Sequence, residues 1–63
     1  MVDMIQLELR IIALTPAAYL VNDGDVEAWI PISQIEVEEG DIEIGSNYWI
    51  DVPEWLALEK GFI

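Results

Sequence analysis

Neither cysteine nor histidine occurs in this chain. That removes disulfides, thiolate or imidazole metal sites, cysteine nucleophiles and the side chain that most often serves as general base near neutral pH. Basic residues are almost absent too. Arg10 and Lys60 stand against 13 Asp and Glu, for a net charge of −11. A protein that grips nucleic acid directly needs clustered Lys and Arg, so that class is excluded. No apolar run approaches the roughly 20 residues of a membrane-spanning helix, and no membrane association is expected. The first apolar stretch is interrupted by Gln6, Glu8 and Arg10 and has no basic segment before it, so no signal peptide is expected. The expectation is a soluble, cytoplasmic protein, with zero Cys compatible with a reducing compartment.

What the chain does have is apolar bulk. Its 63 residues form one domain, 1–63, with a hydrophobic fraction of 54% and three Trp. A chain this short buries only about 60% of the surface its unfolded form exposes, so large side chains have to supply the margin. High hydrophobicity also argues against disorder, despite the charge.

The residues alternate in a way that reads as strands. In MIQLELRIIAL (4–14), Ile5, Leu7, Leu9 and Ile11 share one parity while Gln6, Glu8 and Arg10 share the other, predicting a long first strand. Thr15-Pro16 ends or bends it. A second strand is expected over 17–21, then a hairpin turn at Asn22-Asp23-Gly24-Asp25 with Asp23-Gly24 as its two-residue loop, then a third strand over 26–30. Pro31 stops the pairing, and 32–34 reads as a tight turn or one turn of 3₁₀ helix.

The stretch VEAWIPISQIEVEEGDIEI (26–44) concentrates the most information. Ile35 and Val37 alternate with Glu36 and Glu38, and Ile42 and Ile44 alternate around Glu43, with Glu39-Gly40 between the two halves at the position of a hairpin turn. The expected product is a two-stranded ribbon carrying Glu36, Glu38, Glu39, Asp41 and Glu43 on its outer side. A turn at 45–47 and a sixth strand over 48–52 follow. Pro53 suits the first position of a short helix over 53–60, with Glu54 and Lys60 favourably placed for its dipole and Gly61 just beyond its end. Trp55, Leu56 and Leu58 are expected to pack it on the sheet. The predicted fold is mainly β: a small, strongly bent antiparallel sheet or SH3/OB-like barrel of about six short strands, with one short C-terminal helix.

Chemistry is sparse. Ser33 and Ser46 have no imidazole to activate them and read as turn residues. A carboxylate pair of the glycosidase kind needs a cleft that a chain of this mass does not build. No enzyme activity and no cofactor are expected. Asn22-Asp23-Gly24-Asp25 shares its opening with a calcium loop but lacks the alternating ligands and closing Glu, and a hairpin turn accounts for all four residues, so no metal is assigned. Trp29 and Trp49 fall on the acidic parity of their strands, beside Glu27 and Asp51. Each is either covered by a second layer or left half-exposed as an anchor for Arg, through charge and cation–π contact; the covered reading is slightly favoured. Trp55 reads as core.

Acidic outward faces are ordinary on soluble strands and discourage edge-to-edge association. A balance this one-sided exceeds what solubility needs. Carboxylates two residues apart on a strand stand about 6.8 Å apart, a regular array that suits a site made for phosphates. The candidate partner-binding residues are Glu36, Glu38, Glu39, Asp41 and Glu43, extended by Asp23, Asp25, Glu27 and Trp29. Their partner is expected to be a basic protein surface rather than nucleic acid.

The string Trp29-Ile30-Pro31-Ile32-Ser33-Gln34-Ile35, followed by Val52-Pro53-Glu54-Trp55-Leu56-Ala57 and the ending Lys60-Gly61-Phe62-Ile63, resembles a group of small phage and prophage proteins. These share a W-I-P-x-S-Q-I element, an acidic segment, then V-P-x-W-L-A and a K-G-x-I end. The resemblance covers nearly the whole chain, though the group often carries a basic residue at the position of Ile32. By size and charge the chain also resembles anti-CRISPR inhibitors and other acidic nucleic-acid mimics. That resemblance implies a phage-encoded inhibitor that blocks the basic DNA- or RNA-binding surface of a host defence complex. The rival expectation is a small phage accessory or structural module that binds a protein through Trp29 and the WIPISQI turn.

Overall fold

The computed structural model describes residues 2–38 and 40–63. Its centre is β1 (Met4–Leu14), the strand that the alternation of 4–14 predicts with the same ends. β1 is flanked by β2 (Ala18–Asn22) on one side and β5 (Asn47–Pro53) on the other. β3 (Glu27–Pro31) and the two-residue β4 (Glu36–Val37) complete an antiparallel sheet of order β3-β2-β1-β5-β4. A 3₁₀ turn (Ile32–Gln34) carries the chain from one edge of the sheet towards the other. The helix α1 (Glu54–Lys60) follows β5 directly.

The mainly β fold with a bent antiparallel sheet and a short C-terminal helix is therefore what forms. The sheet is not closed, since β3 and β4 are its two edges. Among the described residues it has five strands; 41–44, expected as a further strand, is none. The Tyr48 hydroxyl accepts the Glu43 N–H at 2.8 Å, the Ser46 N–H reaches the Glu43 carbonyl, and the Gly45 N–H binds the Ile11 carbonyl at 2.7 Å. With those amides committed to turns, 41–44 lays down no ladder and its parity loses meaning. Ile42 still packs on the core, but Ile44 is 63% exposed, against the expectation of burial. Of the expected Glu39-Gly40 turn, Glu39 lies outside the described residues; Gly40 is an exposed bend.

The predicted faces hold elsewhere. Leu9, Ile11, Val21, Ile30, Ile50 and Val52 are completely buried, and Ile5, Leu7 and Val37 pack against them. Between Ile11↔Val21 and Ala13↔Leu20 the register jumps by one residue, so Ile12 is an inserted bulge that sharpens the bend of β1. The β2–β3 hairpin is closed by four residues, 23–26, rather than by the expected two-residue loop Asp23-Gly24. Its last ladder pair is Asn22↔Glu27, and the Asp23 N–H binds the Val26 carbonyl at 3.1 Å. Gly24 takes the positive φ, 111°, that this connection requires.

Pro53 ends β5 and caps α1 rather than starting it. At the other end the Gly61 N–H binds the Leu58 carbonyl and the Phe62 N–H the Ala57 carbonyl, a Schellman closure with Gly61 at φ 85°. The helix seats Leu56 and Ala57 on the sheet; Trp55 (47% exposed) and Leu58 (57%) stay outside, which corrects the expected packing. A helix this short presents one narrow stripe, and Val52, Pro53, Leu56 and Ala57 already occupy it at three- and four-residue spacing.

Candidate partner-binding site

The second face of the sheet points away from the core, and antiparallel register decides which of its side chains meet. Gln6, Asp51 and Glu36 form one row across β1, β5 and β4. One step along, Glu8 on β1 lies directly opposite Trp49 on β5. On its other flank Trp49 shares a shallow depression of about 380 Å³ with Glu38, Asn47 and Tyr48. Beyond that comes Arg10, paired with Asn22 on one side and Asn47 on the other, whose Oδ1 accepts from Arg10 Nε at 3.4 Å. On β2 and β3, Leu20 faces Trp29.

Trp29 is 45% exposed and Trp49 57% exposed, so neither is covered as the favoured reading of the sequence had it. The physical reason is architectural. α1 packs on the opposite face of the sheet, against Val52 and the core, and no described element lies over the outer one.

The carboxylates fall into two groups. Glu36, opposite Asp51, and Glu38, beside Trp49, lie at the β4 edge, while Asp41 and Glu43 sit exposed on the following loop rather than on a ribbon. Asp23 and Asp25 occupy the β2–β3 turn and Glu27 begins β3, at the other edge of the sheet. Glu39 lies outside the described residues. Glu8 connects the groups: it opposes Trp49, and it lines a second open depression together with Arg10, Asn22, Asp23 and Asn47. Trp49 with Asp51, which the sequence offers as an Arg anchor but favours as covered, thus belongs to the site, and so does Glu8, which the sequence does not single out. Their outward parity was visible; the β1–β5 register that joins them was not.

Several of these charges oppose one another. Glu36 and Asp51 are direct cross-strand partners, and like charges in that position destabilise a sheet. The Cα envelope measures only 29 × 24 × 18 Å. With a screening length of about 8 Å at physiological salt, neighbouring strands feel each other's charge. Asp23 is held differently. Its Oδ1 accepts the N–H groups of Val26 (2.7 Å) and Asp25 (2.8 Å), which lower its pKa below the usual 3.8. Asn22 Oδ1 similarly accepts the Gly24 N–H at 2.6 Å. These oxygens are engaged in building the turn. Among the described residues no three Asp or Glu side chains converge on a point where a metal ion would sit. Among the described residues no helix is long and apolar enough to cross a membrane.

Comparison with protein-family models, curated proteins and solved structures finds no match to this chain.

Proposed function

We propose that this protein is a phage-encoded acidic mimic of nucleic acid, acting as anti-CRISPR inhibitors do by occupying the basic DNA- or RNA-binding surface of a host defence complex. The observation that carries this reading is the like-charge pair Glu36–Asp51 on an outer face that also holds Glu8 and Glu38. Folding gains nothing from such a pair. A basic partner gains a regular array of carboxylates at strand spacing, matched to Lys and Arg that otherwise hold phosphates. The test is affinity capture from a bacterial lysate at about 50 mM and about 200 mM salt, with the native chain and with Glu36→Lys/Glu38→Lys. Capture should weaken steeply with salt and collapse on charge reversal, because like charges then face each other. Capture that survives both changes defeats the proposal.

The exposure of Trp29, with Ser33 and Gln34 also exposed on the 3₁₀ turn, favours a second reading: an accessory phage module that binds a protein partner through that corner. Under it, capture is indifferent to salt and to Glu36/Glu38 reversal but disappears with Trp29→Ser.

A further inference from the structure

We infer that Trp49 and the carboxylates flanking it form an arginine-selective docking point, so that the partner surface presents Arg rather than Lys at the centre of the contact. This rests on the proposed acidic docking and adds to it the side-chain chemistry of the partner.

β5 is an interior strand, and an outward residue on it needs only β-propensity to serve the sheet. Trp49 supplies an indole that is 57% exposed and surrounded by polar groups: Glu8 directly opposite, Glu38 and Asn47 in the same depression, Asp51 two residues along. It joins none of the buried cluster, so the core does not require it. Strand spacing puts the β1 and β4 neighbours of β5 about 9–10 Å apart, with the indole between them. A cation lying over that ring has a carboxylate within reach on either side. A guanidinium suits this geometry better than an ammonium, because it stacks flat on an indole while its edge donates two parallel hydrogen bonds to a carboxylate. Charge complementarity fixes the sign of the occupant and the exposed ring selects between the two basic side chains.

The probes are an oligo-arginine and an oligo-lysine peptide of equal length, titrated against the full chain by calorimetry at low and high salt. The arginine peptide should bind about two- to fivefold more tightly, the gain from one exposed cation–π contact. Trp49→Leu should abolish that preference by bringing the arginine affinity down to that of the lysine peptide, whereas Trp29→Leu and Trp55→Leu retain it. The indole Nε1–H resonance missing from the Trp49→Leu spectrum should shift with the arginine peptide and barely move with the lysine one. A preference that survives Trp49→Leu, or falls equally in all three variants, overturns the inference. Equal, salt-sensitive binding of both peptides overturns it too, yet leaves the acidic-mimic reading standing. Failure of both peptides to bind at low salt defeats that reading along with the inference.

Discussion

Replacing Asp51 with Asn should make this protein more stable. In the ladder Asp51 stands directly opposite Glu36, where side-chain roots lie about 5 Å apart. Two unit charges at that distance repel by about 0.8 kcal/mol in water, and about half of this persists at physiological salt. Asp51 is half-buried, which lowers the local dielectric and strengthens the repulsion. The net penalty is about 0.5–1 kcal/mol, inside the range for cross-strand pairs. In a domain of this size that corresponds to a rise in Tm of about 4–8 °C for Asp51→Asn. Asp51→Lys, which turns repulsion into attraction, should gain more. Thermal unfolding followed by circular dichroism at low and high salt measures it, and the gain should shrink as salt screens the pair. Glu36→Gln should give a similar gain, and the double variant less than the sum, since each change removes the same repulsion. An unchanged or lower Tm at low salt, or strictly additive gains, would refute the register and the electrostatic argument together.

Leu9→Ala should cost about 2–4 kcal/mol, because Leu9 is fully enclosed, whereas Trp55→Leu should cost under about 1 kcal/mol despite the larger side chain, because that ring is half-exposed; chemical denaturation of both variants gives the comparison. Asp23→Ala should destabilise near neutral pH by removing the acceptor for two turn amides. Because the folded pKa of Asp23 is depressed, its stabilisation is complete above the unfolded value near 3.8 and is lost as pH falls through the lower folded value. The stability gap between native and Asp23→Ala should therefore be flat through neutral pH and close only in strong acid, as paired acid titrations of unfolding would show.

Much of the fold is legible in the residues. The alternation of 4–14 reports both ends of β1 and its buried face, since one face of a sheet must be apolar to be covered. Gly61 marks the end of α1, because few other residues adopt its backbone conformation without strain. Alternation misleads at Asp41–Ile44, where the pattern is that of a strand but the Tyr48 hydroxyl and the Gly45 turn take the backbone groups a ladder would use. Such long-range competition leaves no local trace. Trp55 was misassigned because hydrophobicity reports what is worth burying, whereas a seven-residue helix has room for one stripe. The site was half visible. Glu36 and Glu38 stand out by parity, but Asp51 and Trp49 beside them, and Glu8 across β5, are supplied by strand pairing between distant segments. Register of that kind depends on the whole sheet.

The central claim is that the outer face competes with nucleic acid for one basic surface. It is tested most directly by loading a captured defence complex with fluorescently labelled nucleic acid and titrating in this protein while following anisotropy. The account predicts that the label is displaced, that higher salt weakens the competitor, and that Glu36→Lys/Glu38→Lys displaces nothing. A stable ternary complex, with the protein bound and the anisotropy of the nucleic acid unchanged, would contradict it.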